Sequence, residues 1–315
     1  MRSVLAGDLG GTKCRFALVT ADRTVLPAQR VATTRDRARF LADLDAAIAA
    51  VLAGVPAGVA PPTAMGIGTA GVIPSGGRSI AYAPNLPLDG YPLADHVERR
   101  CALRTTLIND GRASAWGEYL VGSAQGLDPQ LCLFFGTGIG IGLILGGRPY
   151  EGADNAAGEI GHTIHVPDGR PCACGRRGHF EAYCGGRAIT ERALAEVGRP
   201  PAGASEGPRG AGEWTVGAVA RSDHAAARAI LADAALAAGV LTANACTLWN
   251  PRAVVLGGGV LDGWPALAPS IEAFVRAHCT APITQRLEFH RSQGGSDAVL
   301  LGAAAAAGLF APAAH

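Results

Sequence analysis

The chain has 315 residues, 49% of them hydrophobic and 17% charged, with 27 basic side chains against 26 acidic ones. That length suits two domains, the apolar share excludes disorder as the overall state, and a net charge of +1 gives no basic face for broad nucleic-acid binding. No run of about 18 uncharged apolar residues suggests a membrane span, and the glycines and charges from residue 7 onward leave no secretory leader core, so a soluble cytoplasmic protein is expected.

The first predicted elements are two strands, at 4–6 and 16–19, around a glycine-rich turn at 7–13. From Asp36, the apolar residues Phe40, Leu41, Leu44, Ile48, Val51 and Leu52 recur at helical spacing. A loop at 54–62 leads to a short apolar run at 64–67, then a helix over 91–101, a strand over 105–108 and a helix over 112–121. A second cycle follows: a strand at 131–135, the turn GTGIGIG at 136–142 and a strand at 143–145. Residues 151–186 are irregular and rich in Gly, Cys and His, and a helix covers 187–197. After a low-complexity loop at 198–212 come a long helix at 224–247 and a β-branched run at 253–256 that ends in Gly257-Gly258-Gly259. Helices at 265–278 and 297–310 flank a strand at 287–290. Both halves open with a hairpin around glycines, which implies a duplicated α/β domain with a cleft between the copies.

Several stretches can carry chemistry. The turn at 7–13 lacks Walker A spacing, but backbone N–H groups in such a turn form an anion-binding concavity. Thr12 adds a hydroxyl and Asp8 can hold Mg²⁺, directly or through water; an ordinary hairpin turn explains the same residues. Gly136-Thr137-Gly138 is placed similarly in the second half, and two such turns facing a cleft would grip two ends of a triphosphate. Gly257-Gly258-Gly259 would let a flat ring lie on bare backbone. The literal GxGxxG at Gly66, Gly68 and Gly71 is followed by turn residues 72–77, not a helix, so it is rejected as a dinucleotide site. Asn109-Asp110 closes a strand before a helix, as a helix cap or as a general base with an amide beside it.

Eight cysteines are too few for a disulfide scaffold of this size, and in a cytosolic chain they should be reduced. Cys172 and Cys174, with His162 and His179, make a Cys2His2 set that suits tetrahedral zinc; His165 and Cys184 are possible substitutes. The alternative is two buried thiols and unrelated histidines. With four protein ligands the zinc would be structural.

The stretches GDLGGTK (7–13), PNLPL (84–88), IND (108–110), GTGIG (136–140), AGEIGH (157–162), CACGRRGHFEAY (172–183) and VVLGGG (254–259) resemble, in content and order, the motifs of the ROK family of sugar kinases and related repressors, within the actin-like ATPase superfamily. The resemblance covers essentially the whole chain. It implies two ribonuclease-H-like α/β domains with an interdomain cleft: 1–115, completed by the C-terminal helix 297–315, and 116–296, which carries the zinc loop.

The resemblance also implies roles. Asp8, Gly10, Gly11, Thr12 and Lys13 would form the first phosphate loop, and Gly136, Thr137 and Gly138 the second. Gly257 and Gly258 would meet the adenosine. Asn85, Asn109, Asp110, Glu159, His162 and Glu181 would bind the sugar, with Asp110 as catalytic base. His162, Cys172 and Cys174 match zinc ligands, and His179 stands where the family has a cysteine. The family's Asn-Asp-Ala-Asn reads Asn-Asp-Gly-Arg at 109–112, so Arg112 either alters the cleft's charge or points to solvent. The usual proline-glycine turn is Thr69-Ala70-Gly71.

The implied reaction is phosphorylation of a hexose primary hydroxyl by ATP with Mg²⁺, glucose first. N-acetylmannosamine, N-acetylglucosamine, fructose and allose are the family's other acceptors. The phosphate loop starts at residue 7, which leaves no room ahead of it for the repressors' helix-turn-helix and points to the kinase branch. A non-catalytic sugar-sensing regulator and a zinc hydrolase are readings of other classes. A homodimer is expected, with no nucleic-acid or membrane partner.

Overall fold

The computed structural model describes residues 1–83, 85–201, 206–207, 210–211 and 213–310. The first sheet contains β1 (Ser3–Leu9), β2 (Lys13–Thr20), β3 (Gln29–Ala32), β4 (Ala64–Thr69) and β5 (Arg104–Asn109), in the order β3-β2-β1-β4-β5. Hairpin pairs β1/β2 and β2/β3 are antiparallel, whereas β1/β4 and β4/β5 are parallel. Helices α1 (Arg37–Ala53), α2 (Leu93–Cys101) and α3 (Asp110–Val121) alternate with these strands. Asp36 starts α1 by accepting the Arg39 N–H at 2.7 Å, and Phe40, Leu44, Ile48 and Val51 form its buried stripe.

β1 is apolar on both faces because both faces are covered. Leu5 and Leu9 join Phe16, Phe40, Ile48 and Val97 in one core, while Val4 and Ala6 join Ala113, Leu300 and Ala304 in another.

The second sheet contains β6 (Gln130–Phe135), β7 (Ile139–Leu145) and β8 (Arg148–Pro149). Next in the chain come α4 (Glu181–Cys184), α5 (Gly186–Glu196), the short pair β9 (Glu206–Gly207) and β10 (Gly210–Ala211), α6 (Val216–Ala220) and α7 (Ala225–Trp249). The chain continues through β11 (Ala253–Gly257), α8 (Gly259–Gly263), α9 (Leu267–His278), α10 (Ala281–Thr284), β12 (Glu288–Arg291) and α11 (Ala298–Ala306). Its order is β12-β11-β6-β7-β8, with β6/β11 and β11/β12 parallel.

Among the described residues, α7 is the one helix long and apolar enough to cross a membrane by length and composition. It carries Arg228 and Asp233, and Ile230, Ala234, Ala237 and Leu241 are buried in a core with Leu133, Leu256 and Ile271.

Three sequence expectations change. The second turn spans only 136–138, because β7 begins at Ile139; Gly140 and Gly142 are strand residues, and a Cβ at Gly142 would run into Ala115. The loop expected at 198–212 contains β9 and β10, while 202–205, 208–209 and 212 lie outside the described residues. The C-terminal helix stops at Ala306, and 311–315 also lie outside them.

Two compact units result: Met1–Asp128, Gly142–Gly158 and the chain from Gln293 onward in one, Pro129–Ile141 and Glu159–Ser292 in the other. The first unit therefore takes in 116–128 and 142–158, beyond the expected boundary at 115. Helix α3 runs unbroken past that point, and its side chains hold the added segments. The Trp116 indole donates to the Gly147 carbonyl at 3.1 Å, and buried Glu118 accepts the Gly294 N–H at 2.7 Å.

The rejected GxGxxG is explained by packing. A Cβ at Gly66 would run into the backbone of Ala303 on α11, and one at Gly68 into Val299. Those glycines let a helix lie on a strand, and no helix starts after them.

Candidate active site

The parallel register sets Leu9 beside Thr69 and Thr69 beside Asn109, so Asp8 and Asp110 flank one row at the carboxyl ends of β1 and β5. That edge of a parallel sheet is where α/β folds bind ligands. Burial first, and then the Asp110 charge, push the Asp8 carboxyl up to about 6, against the pull of Arg15 and Lys13. Arg15 pairs with Asp8 across β1 and β2, is buried, and donates to Asp297 at 2.5 Å. Sequence reasoning missed Arg15; its signal is a lone charge inside the apolar run of β2.

The first turn is held from outside. The Thr33 hydroxyl donates to the Gly10 carbonyl at 2.6 Å, and the Thr33 N–H donates to the Thr12 carbonyl at 3.0 Å. A Cβ on Gly11 would lie 2.7 Å from the Cβ of Asn85, so glycine there lets Asn85 stand against the turn. Asn85 is exposed on a bend anchored by buried Leu86 and Leu88; Pro84 of the same motif lies outside the described residues. Thr12 and Lys13 are exposed.

Asn109 is a helix cap: its side-chain oxygen accepts the N–H groups of Gly111 (3.0 Å) and Arg112 (3.3 Å), and its amide donates to the Gly71 carbonyl at 3.2 Å. Half-buried Asp110 follows as the first residue of α3, accepting the Gly111 N–H at 2.9 Å. Arg112 does not point to solvent. It is 4% exposed and donates to the Asn155 side-chain oxygen and to the carbonyls of Asn155 (3.0 Å) and Ala157 (2.8 Å). The Asn155 amide in turn donates to the Ile73 carbonyl at 2.9 Å. This clamp was invisible in the sequence because its partners lie more than 40 residues away along the chain, as the 43-residue separation of Arg112 and Asn155 shows.

In the second unit, the turns at 136–138 and 257–259 leave the adjacent parallel strands β6 and β11, where Gly257 stands beside Phe134. The Gly136 N–H donates to the Gly138 carbonyl at 2.9 Å, and nothing stands within 4 Å of where its Cβ would be. Gly257 and Gly258 are glycines for packing reasons as well: a Cβ at Gly257 would lie 2.7 Å from Ser292, and Gly258 has φ +95° with the Phe135 carbonyl in the way. Gly259, which opens α8, is the one of the three with open space beside it.

Glu159 is exposed and precedes the 3₁₀ turn Ile160–His162, whose His162 N–H donates to the Glu159 carbonyl at 3.0 Å. Glu181, the first residue of α4, accepts the Ile139 N–H through Oε2 at 3.0 Å.

The ligand atoms of His162, Cys172, Cys174 and His179 lie within 4.8 Å of one another. Cys172 Sγ is 3.8 Å from His162 Nδ1, and Cys174 Sγ is 3.3 Å from His179 Nδ1. Tetrahedral zinc with ordinary Zn–S and Zn–N bonds sets a sulfur about 3.6 Å from a nitrogen, so the donor set fits the ion. Burial pushes the Cys172 thiol up to about 11 and the His179 imidazole down, so a bound cation would have to displace the thiol proton. The two substitute ligands are committed elsewhere: His165 packs 4.6 Å from the Phe180 ring and 4.8 Å from the Tyr183 ring, and buried Cys184 donates to the Phe180 carbonyl at 3.4 Å.

Two sheets of one strand order, each with glycine turns at the carboxyl ends of its parallel strands, define the actin-like ATPase class. Within it the chain belongs to the ROK family, whose family model matches residues 4–308. It is 32% identical over 262 residues to the glucokinase of Streptomyces coelicolor, covering 81% of each chain. Against the N-acetylmannosamine kinase of Yersinia pestis it is 33% identical over 304 residues, covering 95% of this chain and 96% of that one. The crystal structure of a ROK family glucokinase from Streptomyces griseus in complex with glucose and AMPPNP superposes with a TM-score of 0.77 at 30% identity, covering 97% of this chain and 99% of that one.

Proposed function

We propose that this chain is an ATP-dependent hexose kinase that phosphorylates a primary hydroxyl, with glucose as the favoured acceptor. The observation that carries this reading is the pair Asp8 and Asp110, two carboxylates at the ends of parallel strands and near enough that one raises the pKa of the other. A site that holds two such acids suits a divalent cation and a proton acceptor together.

Asp110 takes the proton of the attacking hydroxyl, which needs a positioned base and little covalent work from the protein. Asp8 is the residue to hold Mg²⁺, which when bound neutralises phosphate charge. The loops Gly10-Gly11-Thr12, with Lys13, and Gly136-Thr137-Gly138 receive the phosphates, the Gly10 and Gly136 N–H groups being spent on closing their own turns, and Gly257 and Gly258 receive the adenosine. Asn85, Asn109, Glu159, His162 and Glu181 grip ring hydroxyls, and zinc on His162, Cys172, Cys174 and His179 braces their loop. A sugar lacking a matching hydroxyl leaves one of these polar groups unpaired and is rejected. None of the eight cysteines is in a disulfide, which suits a reducing cytoplasm, and the homodimer belongs to the reading by family resemblance.

N-acetylmannosamine is the second acceptor, because the Yersinia kinase matches 95% of this chain where the Streptomyces coelicolor glucokinase matches 81%. The test is ADP release from Mg-ATP by the purified protein with glucose, N-acetylmannosamine, N-acetylglucosamine, fructose and allose. Glucose is expected to give the highest kcat/KM. Asp110→Asn is expected to lower kcat by at least ~10², the lower range for a general base, with sugar still bound in calorimetry. Sugar binding without ADP release from any acceptor would make the chain a sensor, and near-normal turnover by the variant would remove Asp110 as base.

A further inference from the structure

Nine residues, 179–187, run from the Cys/His cluster to the second glycine turn, and they hold that turn and the first residue of β7 at three points. His179 begins the stretch, its Nδ1 3.3 Å from Cys174 Sγ. Two residues on, Glu181 uses both carboxylate oxygens: Oε2 accepts the Ile139 N–H at 3.0 Å, and Oε1 lies 3.9 Å from Cys172 Sγ. The Gly186 N–H then donates to the Gly136 carbonyl at 2.9 Å, and the Arg187 N–H to the Thr137 carbonyl at 3.0 Å. Gly138 completes the fit, since the place of its missing Cβ is filled by the Glu181 carboxylate.

Helix α4, which carries Glu181, has only four residues. A single turn does not hold its own shape; buried Phe180, Ala182, Tyr183 and Cys184 seat it in the core, and the aim of Glu181 is set further by anchors at either end. Downstream, the anchor is the pair of backbone bonds from 186 and 187. Upstream, it is the cluster, where His179 and Cys172 are buried and Cys174 is exposed. A metal bridging the four side chains would fix 172–179 as one piece, and the carboxylate would be fixed with it.

We infer that the cluster sets the shape of the second glycine turn through Glu181, a positioning residue, so that metal occupancy governs binding of the nucleotide's phosphates as well as of sugar. This rests on the metal and phosphate-loop assignments above, but its main readout requires no catalysis. The experiment follows hydrogen exchange of the 134–141 backbone, and titration of a fluorescent ATP analogue without sugar, in zinc-loaded and chelated wild-type protein. Chelation is expected to speed exchange of the Ile139 amide about tenfold and to weaken nucleotide binding by a similar factor, the scale of one net hydrogen bond. In zinc-loaded protein, Glu181→Ala should reproduce both effects. Glu181→Gln should restore Ile139 protection, because its amide oxygen still accepts that N–H.

Unchanged Ile139 exchange on chelation overturns the inference without needing any variant to fold. A Glu181→Ala protein that loses sugar affinity but keeps nucleotide affinity and Ile139 protection also overturns it, leaving Glu181 a sugar ligand alone. Protein that neither carries zinc nor takes it up overturns the metal control, whereas failure to turn over any hexose refutes the kinase reading and leaves the exchange result standing.

Discussion

Read outward from the hairpin edge, β8-β7-β6-β11-β12 repeats β3-β2-β1-β4-β5, which aligns β6 with β1, β11 with β4 and β12 with β5. A three-residue turn follows the first strand of each parallel set, Gly10-Gly11-Thr12 after β1 and Gly136-Thr137-Gly138 after β6. One residue before the strand end stands Asp8 in the first sheet and Phe134 in the second; just after the last parallel strand stands Asp110 in the first and Ser292 in the second. The repeated frame supplies backbone cradles twice, but the acids occur once. Chemistry on this fold is grafted onto strand ends, and the fold alone does not dictate it.

The helices that follow β5 and β12 show the same divergence. Helices α3 and α11 pack closely, with Gly117 set against the Ala298 backbone and Gly302 against that of Ala113. Yet α3 buries Arg112 and Glu118, while α11 reads AVLLGAAAA and carries no charge.

The largest expected effect lies in the second sheet's bare backbone. Gly258→Ala combines a φ of +95° with a Cβ driven into the Phe135 carbonyl, so a loss of about 4 kcal/mol or more is expected in urea unfolding. Gly259→Ala, with open space beside it, should leave stability within about 0.5 kcal/mol, as an unconstrained surface change does. If both variants unfold at the same urea concentration, the distinction between packing glycines and an open one is broken.

Next in size is the α3 clamp. Arg112→Ala removes the donor to the half-buried Asn155 and Ala157 carbonyls and should cost about 2 kcal/mol, on the scale of hydrogen bonds to a charged group. The measurement is again the unfolding midpoint, and a wild-type midpoint would mean that 155–157 is held by other contacts. Such a clamp is out of reach of sequence reasoning, which sees side chains by local pattern. Paired apolar runs gave away both hairpins, and helical spacing gave away α1. Strand β3 was missed because QRVA is an edge strand with one solvated face, and α8 and α10 are too short to show a period. The Cys/His set was legible because its four members lie within one stretch, 162–179, whereas the purpose of Gly66 and Gly68 depends on α11, more than 200 residues later.

An effect no larger than this bears on the acids themselves. Asp8 has a folded-state pKa of about 6 against an ordinary 3.8, so the folded chain binds its proton more tightly than the unfolded chain does. Stability is therefore lost as pH rises through that window, and ionised Asp8 weakens the ligand-free protein above it. Asp8→Asn removes the penalty. Discounted for partial exposure, it should make the ligand-free protein about 2 kcal/mol more stable at neutral pH, with the gain vanishing toward pH ~3.5. Saturating Mg²⁺ should then stabilise the wild type and not the variant, closing the gap from the other side. Phe134, at the equivalent place in the second sheet, has nothing to titrate, so a pH-dependent gain from Asp8→Asn ties this part of the acid-limb stability to the first sheet's strand end. A variant no more stable than wild type at neutral pH would mean that Asp8 is already neutralised by Arg15 and Lys13, and the cation would lose its electrostatic reason to bind there.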